Sequence, residues 1–180
     1  MMRAVIDTNV LLVANDQHED ASPECVAECV RRLQDMQVRG ITVIDDGYRI
    51  LKEYQNKTRL HPPKGVGDVF LKWLLRNADK PQHVEQVSIT ETPENIFTEF
   101  PDPALQTTFD APDRKFAAVA NAHPARPVIL QAVDCKWLDW WQRLEARGIR
   151  VRFLCPDDAC RFYIKKFPAK GAPSVPENAE

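Results

Sequence analysis

Four carboxylates stand where this chain could do chemistry. Asp7 follows the apolar run Ala4-Val5-Ile6, and Asp134 follows Val128-Ile-Leu-Gln-Ala-Val133; each closes a strand-like stretch and opens a helical one. Asp113 lies in the first turn of a helix expected to begin at Asp110, and Glu53 lies on the flank of a helix whose apolar side carries Ile50, Leu51 and Tyr54. In an open parallel sheet, the carboxyl ends of the strands and the starts of the following helices share one edge, and ligands bind there. Carboxylates gathered within a few ångströms stay ionised only if a cation is bound or some of their pKa values are raised. The economical reading is an oxygen-ligand site for Mg²⁺ or Mn²⁺.

Taken singly, each acid has a plainer role. Asp7 can merely start a turn, and Glu53 can be a solvated glutamate paired with Lys57 at i+4. Asp110 suits an N-cap and Asp113 the first turn, both beside the positive end of a helix dipole. Only their joint placement lifts them above these roles.

The elements that must position them alternate between strand and helix. Val5 and Ile6 read as a buried strand, and Val10, Leu11 and Ala14 recur at helical spacing after Thr8 or Asn9, either of which can cap. Ser22-Pro23 opens a helix to about Arg39, Ile41 to Ile44 is a strand, and Asp45 and Asp46 cap a helix over 47–57. A breaker-rich segment precedes a helix over 68–77, and 84–89 alternates like a half-exposed strand. Residues 90–109 are expected to be loop, with one helical turn at 94–99. A helix follows over 110–120, then the strand ending at Asp134 and a helix over 136–147. Trp137, Trp140, Trp141 and Leu144 make an apolar stripe on that helix, which as a pattern belongs to a core far more often than to a base-stacking surface. A last strand (149–154), a last helix (156–166) and an unstructured tail over 167–180 complete the chain.

Length and charge narrow the rest. A chain of 180 residues fits one domain with a sizeable core, taken here as residues 1–166. A net charge of -2 provides no global attraction to nucleic acid, so binding of that kind would need a local basic patch or metal ions. No apolar run approaches a membrane span and no signal region is visible, so a soluble, cytoplasmic protein with no membrane partner is expected. The five cysteines (Cys25, Cys29, Cys135, Cys155 and Cys160) show no paired spacing and are read as free thiols.

With these motifs in view, the chain resembles the PIN (PilT N-terminal) domain nucleases. The resemblance lies in Val5-Ile-Asp-Thr-Asn-Val-Leu-Leu12, Ile50-Leu-Lys-Glu-Tyr54, Asp110-Ala-Pro-Asp-Arg-Lys-Phe116 and the strand ending at Asp134, and with the order of elements it spans residues 3 to about 155. It implies a single PIN-like domain, a three-layer α/β/α fold on a parallel sheet of about five strands. It also implies a Mg²⁺- or Mn²⁺-dependent endoribonuclease, with single-stranded or looped RNA as substrate, in which Asp7, Glu53, Asp113 and Asp134 hold metal or metal-bound water and Asn9 orders them. Many members carry a second aspartate two residues after the strand-end one; here that position is Lys136, with Asp139 one turn further on. Lys136 therefore bears on whether a second metal binds.

The chemistry so implied is metal-assisted hydrolysis of a phosphodiester, without a covalent protein nucleophile. Lys52, Lys57, Arg59, Lys64, Arg114, Lys115 and Lys136 are candidates to hold substrate phosphates, Asp110 to support the acids. By the same resemblance an antitoxin protein or a second copy of the chain could be a partner. Two other classes compete: a PIN-like RNA or protein adaptor without catalysis, and an aspartyl phosphatase. The phosphatase would want an aspartate where Asn9 stands.

Overall fold

In the computed structural model, which describes residues 1–177, five strands form one all-parallel sheet in the order β3-β2-β1-β4-β5. They are β1 (Met2–Ile6), β2 (Gly40–Asp45), β3 (Val84–Val87), β4 (Val128–Gln131) and β5 (Val151–Phe153). Helices cover both faces, making the three-layer α/β/α arrangement. The central strands are buried without alternation because both faces are covered: Ala4, Val5 and Ile6 are fully buried, and every residue of β2 is buried.

Helices α1 (Thr8–Ala14), α2 (Pro23–Arg39), α3 (Arg49–Lys57) and α4 (Val66–Asn77) fall in the crossovers from β1 to β3. The chain then returns past β1. A short α5 (Pro103–Gln106), a 3-10 turn (Ala111–Asp113) and α6 (Arg114–Ala122) lead to β4, and α6 lies across β1, β2 and β4. Beyond β4 come a 3-10 turn (Cys135–Asp139), α7 (Trp141–Ala146), β5 and α8 (Pro156–Lys166). The strand order therefore reverses between β1 and β4, whose registers pair Val5 with Ile129 and Ile6 with Leu130. Crevices for ligands open at such a reversal, outside the carboxyl ends of the strands.

Several local expectations change. The cap of α1 is Asp7 and not Thr8 or Asn9: its Oδ1 accepts from Asn9 N at 2.9 Å. Residues 94–99 hold no helical turn. They join a bridge between Glu91 and Phe97, and the helical turn comes later, at α5, where Asp102 accepts from Leu105 N and Pro103 starts the turn. The strand before Asp134 stops at Gln131, because the buried Gln131 side chain turns back and accepts from Ala132 N. The helix expected over 136–147 is a 3-10 turn and a short α7 instead, yet the tryptophan stripe is core: Trp137, Trp140 and Trp141 are all buried.

The cysteines are not all free. Cys25, at the start of α2, is disulfide-bonded to Cys155, which precedes α8; Cys29, Cys135 and Cys160 remain thiols. The partners lie 130 residues apart, and only the sheet order brings the end of β5 beside α2. The tail, expected to be unstructured, is tied back where it is described. Trp141 Nε1 donates to Ser174 O at 3.0 Å, and Lys170 reaches Asp139. Residues 178–180 of that expectation lie outside the described residues. Among the described residues no helix is long and apolar enough to cross a membrane.

Candidate acidic site at the β1 and β4 edge

Asp7 leaves β1 at the reversal point, its backbone N–H donating to Leu130 O of β4 at 3.0 Å. One carboxylate oxygen caps α1. The other, Oδ2, is buried and has no hydrogen-bond partner. A buried carboxylate oxygen without a donor is costly, and in native proteins such atoms call for water, an ion or a function. Burial first, then the charges of Asp113 and Asp134 and more weakly Glu53, push the Asp7 carboxyl well above the usual carboxylate range, although the Asn9 N–H acts against them.

Asp134 is placed by two amides. Asn9 Oδ1 accepts from Val133 N at 2.7 Å, pinning the chain beyond β4 to the start of α1, and Gln131 Oε1 accepts from Asp134 N at 3.4 Å. Burial raises the Asp134 carboxyl; the Lys136 N–H and the charges of Lys136 and Lys166 oppose this without cancelling it.

Asp110 and Asp113 do not cap α6, since neither side chain makes a capping hydrogen bond. Burial, with Asp134, Glu53 and Asp110 nearby, lifts the Asp113 carboxyl to about 7, Lys115 partly offsetting them. Phe109, next to Asp110, stacks on Trp140 at 4.0 Å and meets the edge of Trp137 at 5.0 Å. The buried tryptophans thus clamp together the two segments that carry Asp110, Asp113 and Asp134. Loss of such a packed ring costs about 3 to 5 kcal/mol. The 3-10 turn is further held by Arg114, whose Nε donates to Phe109 O at 3.0 Å and whose Nη1 donates to Asn95 O, so this guanidinium is engaged with the backbone.

Glu53 enters from α3 with both oxygens engaged: Oε2 accepts from Thr8 Oγ1, and Lys115 Nζ stands 2.8 Å from Oε1. Its lysine is therefore Lys115 and not Lys57. Beneath the site, the buried Tyr54 hydroxyl donates to Ile6 O. Lys136 binds Asp110 Oδ2 with its ammonium. Asp139 faces away from this company, accepting from Tyr163 OH at 2.5 Å and pairing with Lys170 at 2.9 Å.

The structure thus brings Asp113, Asp134 and Glu53 into the field of Asp7, and Asp110 into that of Asp113 and Asp134, with Lys115 and Lys136 among them. Thr8 and Phe109 were not legible as site residues, because their contacts cross between elements far apart in sequence, and Gln131 was not because it reads as one more strand residue. A divalent cation fits the donor set: hard carboxylate oxygens, one of them orphaned and buried. Among the described residues, the three side chains whose ligand atoms all lie within 4.8 Å of one another are nonetheless Cys25, Cys29 and Cys155, and not these acids. No three of these carboxylates come that close, so an ion among them would take few direct protein ligands and keep several waters. Comparison of the chain with protein-family models, curated proteins and solved structures gives no match in any of the three.

Proposed function

We propose that the chain is a PIN-type, divalent-metal-dependent nuclease that hydrolyses phosphodiester bonds, with single-stranded or looped RNA as substrate. One observation carries the reading: at the sheet's reversal point between β1 and β4, Asp7 is buried with an unpartnered oxygen and lies in the field of two further carboxylates, which like its own are held above the usual range. Burying mutually repelling acids costs stability, which a cation would offset.

Asp7, Asp113 and Asp134 would hold Mg²⁺ or Mn²⁺, with Glu53 beside them. Such an ion lowers the pKa of water and offsets charge on a phosphate. The protein supplies the frame. Asn9 and Gln131 fix the segment that bears Asp134, the Phe109–Trp137–Trp140 packing fixes Asp113 against it, and Thr8 and Lys115 orient Glu53. Lys136, with a side chain 36 % exposed, can meet a substrate phosphate at the rim.

The test is cleavage of single-stranded RNA, structured RNA and single-stranded DNA by purified protein with Mg²⁺ or Mn²⁺, and its arrest by EDTA. Folded protein that cleaves none of them would sink the proposal. A second reading, a PIN-like RNA or protein adaptor without catalysis, draws on the two lysines already paired with Glu53 and Asp110. That outcome favours it.

A further inference from the structure

The acids of the site divide by the company they keep. Glu53 and Asp110 each hold an ammonium, from Lys115 and Lys136. Asp7, Asp113 and Asp134 hold none by direct contact; Asp7 Oδ1 and Asp134 Oδ1 each accept from one backbone N–H, and Asp7 Oδ2 lacks even that. The two lysines also differ. Lys115 is closed in, 12 % exposed and donating to Pro112 O as well, so it belongs to the frame. The Lys136 ammonium stands at the rim, in the field of Asp134 and Asp113 as well as of Asp110.

Charge counting sharpens the difference. With all five acids ionised, the two ammoniums leave three negative charges, which belong in effect to Asp7, Asp113 and Asp134. A single divalent ion nearly neutralises them. A second would make the site positive and would have to displace Lys136 from Asp110 or share that carboxylate with it, against Coulomb repulsion at short range.

We propose that the Lys136 ammonium takes the place of a second metal ion, so that the site loads a single divalent ion among Asp7, Asp113 and Asp134 and uses Lys136 as its other positive charge toward the substrate. This rests on the nuclease reading above. In the hydrolysis, the oxygen of water bonds to phosphorus as the bridging P–O bond breaks. The proton of that water passes to a carboxylate and on to solvent, and the departing oxygen leaves facing the Lys136 ammonium and takes a proton from solvent. An ammonium is a compact point charge with three donors, able to hold Asp110 and a substrate oxygen together.

The experiment is calorimetric titration of the full chain with Mn²⁺, alongside cleavage assays, for wild type, Lys136→Met, Lys136→Arg and Lys136→Asp, each checked for folding by circular dichroism. A single ion should bind wild type, Lys136→Met and Lys136→Arg. Lys136→Met should cleave about a hundredfold more slowly, the usual loss on removing one preorganised charge or donor. Lys136→Arg should recover part of that, and Lys136→Asp should take up a second ion. Two ions on wild type with cleavage intact would overturn the inference and leave the nuclease reading standing, as would Lys136→Asp that still binds only one. No ion on any variant and no cleavage would remove both.

Discussion

Two buried aspartates, Asp7 and Asp68, are equally hidden from solvent, at 4 % and 3 % exposed, and are treated in opposite ways. Asp68, at the start of α4, accepts from Arg59 N at 2.8 Å, Lys64 N at 2.9 Å, Gly65 N at 3.2 Å and Asn15 Nδ2 at 2.9 Å. Burial alone would raise its carboxyl, but these donors hold it below the usual range. Asp7 has a single N–H on one oxygen, nothing on the other, and acids for neighbours. A carboxylate that serves the fold arrives satisfied. One left unsatisfied in the same chain, at the sheet's reversal point, is a cost the fold does not need.

The comparison breaks most sharply at catalysis. Asp7→Asn and Asp134→Asn should each cut metal-dependent cleavage about a thousandfold or more, the worth of roughly 4 kcal/mol of transition-state stabilisation. Asp139→Asn should cost far less, because its carboxylate serves Tyr163 and Lys170. Initial rates on one RNA under saturating Mg²⁺ would decide, and an equally severe Asp139→Asn would mean that the acids have been wrongly divided.

The next effect is structural and belongs to the other aspartate. Asp68→Asn replaces an acceptor that several N–H groups share, and should destabilise the protein by about 3 kcal/mol. In a chain of this size that is a fall in melting temperature of roughly 6 to 12 °C. Metal-free Asp7→Asn should instead melt at or above wild type. If both variants fall by the same amount, Asp7 is as structural as Asp68.

How far this division could be read beforehand depended on which contacts were local. The strands and most helices were legible because apolar runs and breakers alternate along the chain; Asp7, Asp113 and Asp134 were legible because each sits where such a run ends or a helix begins, and Glu53 because it flanks the apolar stripe of its helix. What was hidden depends on pairs brought together only by folding. Lys115 reaches Glu53 and Thr8 reaches Glu53 across sheet and helices; Cys25 meets Cys155 for the same reason. The early end of β4 was hidden differently, since Gln131 looks like one more strand residue until its side chain is seen turning back on Ala132 N. Capping by Asp110 and Asp113 was the plainer local expectation, and the field of distant acids and lysines overrode it.

Acidity offers a finer probe. The carboxyls of Asp7, Asp113 and Asp134 are held above their unfolded values, so the native state keeps protons the unfolded chain has released. Their share of stability is therefore full below the unfolded value and is lost as pH rises, for Asp113 through about 7. Asp68 has the reverse sign: its contribution is present above the unfolded value and lost as pH falls through its depressed one. Metal-free wild type should lose stability between pH 4.5 and 7.5 through these groups, and saturating Mn²⁺, which binds only the folded site, should flatten the slope. Thermal melts across that range, with and without metal, measure it. A slope unchanged by Mn²⁺ would count against the acids being its site.

The smallest effect concerns Asp113 alone and turns on a sign. If Asp113 were a first-turn residue complementing the dipole of α6, Asp113→Asn would cost about 0.3 to 1 kcal/mol at neutral pH. The geometry argues otherwise. Its side chain makes no capping hydrogen bond, it is half-buried, and Asp134, Glu53 and Asp110 oppose its charge. At pH 8, where most of the wild-type residue is ionised, Asp113→Asn in EDTA should therefore melt above wild type. At pH 5, where the wild-type carboxyl is already protonated, the gain should vanish. In millimolar Mn²⁺ the order should invert, because wild type gains from binding by mass action and the variant has lost a ligand. A variant that melts below wild type at both pH values, with or without metal, would make Asp113 an ordinary helix-start residue and leave Asp7 and Asp134 to hold an ion without it.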